Sequence, residues 1–159
     1  MIGVDTNVLL RHATQDDPVQ SAQARAFMES LTPEDPGFIS LVTLVELAWT
    51  LRKSYKVDNE TVGALVGALL GAQELVVQEP DIVRRVARES VSTSVDFADL
   101  LIAHLGISYG CDYTVTFDRR AARLPGMKLL EGGAGQVSTG STTVRRETPA
   151  PPQRTLPAC

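Results

Sequence analysis

The chain has 159 residues, 43% of them hydrophobic, with mean hydropathy near zero and a net charge of −4. That is enough chain for one domain with a proper core, and no apolar run reaches the roughly 18 to 20 residues of a membrane span. Its acidity speaks against a protein that grips nucleic acid by bulk positive charge, and its two cysteines, Cys111 and Cys159, form neither a disulfide framework nor a zinc-type pairing.

Met1–Val4 reads as a short buried strand, followed by a short helix over Asn7–Ala13. Asp5, with Thr6 and Asn7, stands at their junction, where a carboxylate is either a helix cap or a functional group. Asp17 predicts the cap of a helix that begins at Pro18 and runs to about Leu31. The stretch TPEDPG is a loop and GFIS a second strand. From Val42 to about Tyr55, Leu44, Leu47, Ala48 and Leu51 recur at helical spacing. Glu46 sits beside that apolar stripe, a position that is costly unless the side chain reaches water or a partner. Asp58 or Asn59 starts the next helix, with Leu65, Leu69 and Leu70 as its apolar face, and LVVQ is a third strand. Asp81 is the expected cap of IVRRVARESV, in which Ile82, Val83, Val86 and Ala87 face inward and the arginines outward. Phe97–Tyr109 is helical, preceded by Asp96 at a cap position and carrying Asp99 one turn in. YTVTF reads as a strand whose apolar character suggests a central place, and MKLLE as a last strand. The N-terminal stretch lacks the basic n-region of a signal peptide and acidic and polar residues interrupt it, so a cytoplasmic protein is expected.

Beyond Glu131 the composition turns to Gly, Ser, Thr and Pro. The expectation is a folded domain over 1–131 and a disordered tail over 132–159. The tail holds three Arg and one Glu, so +2 of the charge lies there and −6 in the body. Strands alternating with helices of these lengths predict an α/β domain with a mainly parallel sheet.

Ligands in such sheets gather at the carboxyl ends of the strands. Asp5 and Asp118 each directly follow a predicted strand there. Together with Glu46 and Asp99 they interrupt apolar segments with carboxylates. Brought together without a cation, such groups repel and raise one another's pKa. Hard oxygen donors of this kind suit Mg²⁺ or Mn²⁺, and the residues taken alone support a divalent-metal site.

In this order, the stretches VDTNVLLR, TLVELAWTL, DFADLLIA and TVTFDRRAARLPG resemble the PIN-domain ribonucleases, and within them the VapC-type toxins of type II toxin–antitoxin systems. The resemblance runs from Met1 to about Glu131 and implies a three-layer α/β/α fold with a mainly parallel central sheet. It implies that Asp5, Glu46, Asp99 and Asp118 are the catalytic and metal-binding carboxylates, with Asp96 as an additional acid, and that Thr6 and Asn7 orient Asp5 or a metal-bound water. The activity implied is Mg²⁺-dependent cleavage of RNA by activated water, with Mn²⁺ an alternative ion, leaving 5′-phosphate and 3′-hydroxyl ends. The implied partners are an RNA substrate, a cognate antitoxin and a second copy of the chain, for which the Val62–Leu70 helix face is one candidate, though that face reads equally as core. Arg119, Arg120 and Arg123 suit substrate phosphates, since Arg binds them in bidentate fashion, with Arg11 and Lys53 ranked lower. His104 reads as structural and His12 as exposed, while Trp49 and Phe97 read as core. A non-catalytic RNA-binding or interaction module of the same fold is the competing reading. A haloacid-dehalogenase-like phosphatase is disfavoured, because it needs a second Asp two residues beyond the first, where this chain has Asn7.

Overall fold

The computed structural model describes residues 1–130, so the expected boundary at 131 and the tail lie outside the described residues. Strands β1 (Ile2–Gly3), β2 (Gly37–Ile39) and β3 (Leu75–Val77) form one parallel ladder in that order. Strands β4 (Thr114–Thr116) and β5 (Met127–Leu129) form a second parallel ladder. The helices are α1 (Thr6–Thr14), α2 (Pro18–Ser30), α3 (Leu41–Lys53), α4 (Asn59–Gly71), α5 (Pro80–Ser92) and α6 (Phe97–Ser108). A 3₁₀ turn at Ala121–Arg123 links β4 to β5. Every strand pairing among the described residues is parallel, in keeping with the strand–helix alternation, because parallel neighbours need a crossover between them.

Local chemistry sets most helix starts. Asp17 accepts from the backbone N–H groups of Val19 and Gln20, with Pro18 in the first turn. Asp58 accepts from Thr61 and Ser40 from Thr43, so α3 begins at Leu41, ahead of the expected Val42, and ends at Lys53, short of Tyr55. Asp81 is not a cap: Glu79 holds that position in a left-handed conformation, φ 49°, and Pro80 starts α5, leaving Asp81 inside the first turn. The acid there still favours the positive end of the helix dipole.

The core lies on one face of the first ladder. Val4, Ile39 and Val77 point into it and meet Leu44, Leu47, Ala48 and Leu51 of α3, Val62, Val66 and Leu69 of α4, and Leu100 and Leu101 of α6. On α4 the buried face centres on Val62, Val66 and Leu69, with Leu65 and Leu70 half-buried at its flanks. That face is therefore interior and not free to join a second copy. Helices α4 and α5 come together closely at Gly63, where a Cβ would stand 2.8 Å from the Ala87 carbonyl oxygen and 2.8 Å from Ser90 Oγ. At the far end of α1, Arg11 donates to both carboxylate oxygens of Asp16, at 2.7 and 2.8 Å, and to Gln20 at 2.8 Å. Tyr55, just beyond α3, donates its hydroxyl to the same Asp16. These bonds hold the Asp16 carboxyl down at about 2, chiefly through Tyr55 and then Arg11.

Two expectations need correcting. Strand β4 is not a buried central strand: it pairs with β5, and Val115 is exposed. Trp49 is not core either, being 59% exposed, whereas Phe97 is buried as read. An apolar run and a large aromatic read as interior in sequence, but hydrophobicity alone does not say which face of an element is covered.

Candidate active site

Asp5 follows β1 and occupies the N-cap of α1, its Oδ2 accepting from the backbone and the side-chain amide of Asn7, both at 3.2 Å. The cap role and an exposed carboxylate are therefore both present. Thr6 does not turn toward Asp5. It is 5% exposed, and its hydroxyl donates to Glu46 Oε2 at 2.7 Å across forty residues of sequence. Glu46 escapes the buried stripe because α3 has two faces. Leu44, Leu47, Ala48 and Leu51 face the core, while Val42, Val45, Glu46 and Trp49 form a second face at the same helical spacing. That second face, with Ala98, Leu101, Ile102 and Leu105 of α6, lines an apolar depression of about 550 Å³.

Asp99, next to Ala98, lies in the first turn of α6. Partial burial pushes its carboxyl up, and the charges of Asp118 and then Asp96 push it further. Asp118 is shifted the opposite way, since it accepts from the backbone N–H of Arg120 at 2.6 Å and of Ala121 at 3.2 Å. Asp96 holds the N-cap position of α6 without making the capping bond; its carboxylate faces Arg52 Nη2 at 3.5 Å. Arg52 also donates to the Val57 carbonyl at 3.3 Å, while its Nε is buried without a partner. Arg52, Lys53, Asp96 and Asp99 share a cleft of about 130 Å³ beside Trp49.

The sequence candidates thus fall into two linked groups. Thr6 ties Glu46 to the residue after Asp5, and the charges of Asp118 and Asp96 both act on Asp99. Among the described residues no three His, Cys, Asp or Glu side chains converge into a ready-made metal cage. The donors nonetheless fit a hard divalent ion in kind: all are carboxylates, and Asp99 is held against two other acids whose repulsion a cation relieves.

Arg119, Arg120 and Arg123 are exposed, directly beside Asp118. Arg11 is committed to Asp16 and Gln20 and is not a free phosphate ligand. His104 bonds Glu89 at 2.8 Å, a link between α5 and α6. His12 is half-buried, with Nδ1 enclosed and unpartnered, and not exposed as expected. Sequence reading missed Arg52, whose signal was its place one turn beyond Trp49 on the helix of Glu46.

An α/β domain of parallel strands, with acids collected after β1 and β4 and along α3 and α6, is the class that fold and site define. The chain belongs to the PIN domain family, whose model matches residues 2–127. No curated protein matches it. PIN domains are in general nucleases that bind RNA and use divalent metals such as Mg²⁺. Among the described residues no helix is long and apolar enough to cross a membrane.

Proposed function

We propose that the chain is a Mg²⁺-dependent endoribonuclease of the toxin–antitoxin kind, cytoplasmic and neutralised by a cognate antitoxin. What supports the nuclease part of this reading is the family match together with the placing of Asp5 after β1, Asp118 after β4, Glu46 on α3 and a partly buried Asp99 on α6, whose carboxyl the charges of Asp118 and Asp96 push up. Its place in the first turn is favoured by the helix dipole, yet burial and the two neighbouring acids push its carboxyl up on balance, a cost that a bound cation relieves. Asp5, Glu46, Asp99 and Asp118 would hold the ion, with Asp96 joining from its pairing with Arg52. The ion would supply an acidified water and charge compensation at the phosphodiester. Asn7 steadies Asp5, and Thr6 steadies Glu46. Arg119, Arg120 and Arg123 offer guanidinium groups to the flanking phosphates. A homodimer would use the apolar wall of α3 and α6, with Val42, Trp49 and Ile102 exposed on it, since the α4 face is interior.

The test is cleavage of bulk cellular RNA by purified, antitoxin-free protein, with Mg²⁺, with chelator, and with Asp5→Asn or Asp99→Asn. The reading requires 5′-phosphate and 3′-hydroxyl ends and loss of cleavage in each control. Folded protein that binds Mg²⁺ and cuts no RNA would instead be a non-catalytic module.

A further inference from the structure

The β4–β5 ladder reverses the pattern expected of a half-covered strand. Thr114 and Thr116 are half-buried, and Thr114 packs against Gly106 of α6. Tyr113, Val115 and Phe117 alternate with them and so occupy the opposite face. There they are 53%, 53% and 78% exposed. Lys128 stands beside Val115 in register and sets its ammonium 4.7 Å from the centre of the Tyr113 ring. Leu130 follows on the same side and is also exposed. A strand shaped by folding alone turns its aromatics inward and its threonines to water. This one does the opposite, which calls for a ligand.

The residues around the face say which ligand. Phe117 immediately precedes Asp118, so the apolar stripe runs into the acidic edge. Arg119, Arg120, Arg123 and Lys128 stand against Asp112 and Asp118, which makes residues 112–130 net +2 in a chain of net −4. Exposed aromatic rings flanked by cations suit unpaired nucleobases on a phosphate backbone, because every base has a π face to stack. A protein partner needs the apolar surface but not this local charge reversal.

We propose that Tyr113, Phe117 and Lys128 form a stacking platform for unpaired bases of the RNA strand that passes Asp118, with Phe117 as the principal ring. The platform rests on RNA being the substrate, and it selects single strands, since bases in a duplex are already stacked on one another.

The test is fluorescence anisotropy of full-length protein with a labelled adenine oligonucleotide of about ten nucleotides, a length within the usual single-strand site sizes. The same length of duplex RNA serves as comparison, and chelator prevents cleavage. Phe117→Ala should weaken single-strand binding roughly 5- to 150-fold, as loss of one stacked base implies. Phe117→Trp should restore it, Tyr113→Ala should cost less, and duplex binding should not change. Because Phe117 is exposed, the Ala variant should keep the wild-type melting temperature. Unchanged single-strand affinity in Phe117→Ala overturns the platform. So does an unchanged affinity together with loss of a dimer in sedimentation, which would make the face a contact between copies. If the wild-type protein cleaves RNA while Phe117→Ala leaves KM and affinity unchanged, the platform alone fails. If the wild type neither binds nor cleaves RNA, the nuclease reading fails with it.

Discussion

Replacing Thr6 with Val removes one hydroxyl and almost no volume, so it isolates the bond to Glu46. The bond is 2.7 Å long, its acceptor is a carboxylate, and its donor side is buried. Hydrogen bonds to charged groups contribute about 1.5–3 kcal/mol, and leaving a buried partner unsatisfied adds to the loss. Here the partner left behind is Glu46, which is exposed and recruits water, so the lower end applies, about 1–1.5 kcal/mol. For a domain of this size each kcal/mol moves the melting temperature by roughly 4 °C. Thr6→Val should therefore melt about 4–6 °C below wild type in chelator. A second readout separates stability from site geometry. A carboxylate that loses its orienting partner typically binds its ion about 10- to 100-fold more weakly, which calorimetry with Mn²⁺ measures directly. Thr6→Ser keeps the donor and should stay close to wild type in both. If Thr6→Ser is as damaging as Thr6→Val, keeping the hydroxyl does not rescue the site and the bond to Glu46 is not what Thr6 supplies. If Thr6→Val changes neither quantity, Thr6 does not position Glu46.

Asp99→Asn should raise the melting temperature in chelator at pH 7. A carboxyl whose folded pKa is raised contributes its stability below the ordinary value and loses it as pH climbs through the folded one. The gain should therefore vanish toward pH 3 and shrink when Mn²⁺ is added to the wild type; a lower melting temperature at pH 7 would refute this. Asp16 behaves oppositely: its carboxyl sits at about 2 against an ordinary 3.8, so its contribution holds above pH 4 and disappears between pH 4 and 2. An acid titration followed by circular dichroism should show that window flatten in Asp16→Asn. Gly63→Ala should cost about 1–3 kcal/mol in a denaturant melt, because the new methyl group meets the Ala87 carbonyl and Ser90 Oγ. Leu47→Ala, at a site that cannot refill from solvent, should cost about 2–5 kcal/mol in the same assay.

Residues that act through their neighbours in the chain were readable from sequence. Asp17 with Pro18, Asp58 ahead of Thr61, and the Leu44–Leu51 stripe announce their helices by spacing alone, and strand–helix alternation announces the parallel ladders. The carboxylates after β1 and β4 are visible because the fold class says where ligands gather. Pairings across the chain are different. Nothing in the letters joins Thr6 to Glu46 or Arg52 to Asp96, since those contacts exist only once α1, α3 and α6 have packed. Asp96 illustrates the limit well. Its position before Phe97 is that of a cap, yet its carboxylate is turned to a guanidinium on another helix. Trp49 and β4 misled for one common reason: apolar character marks a surface that something covers, and that something need not be the same polypeptide's core.

Asp118 hangs on a strand pair that closes separately from the β1–β2–β3 ladder and comes last in the described chain. A ribosome therefore delivers the acids in the order Asp5, Glu46, Asp99, Asp118, with the fourth arriving only as the final parallel pair forms. On the four-carboxylate site proposed above, the site lacks its last acid until that pair has been made.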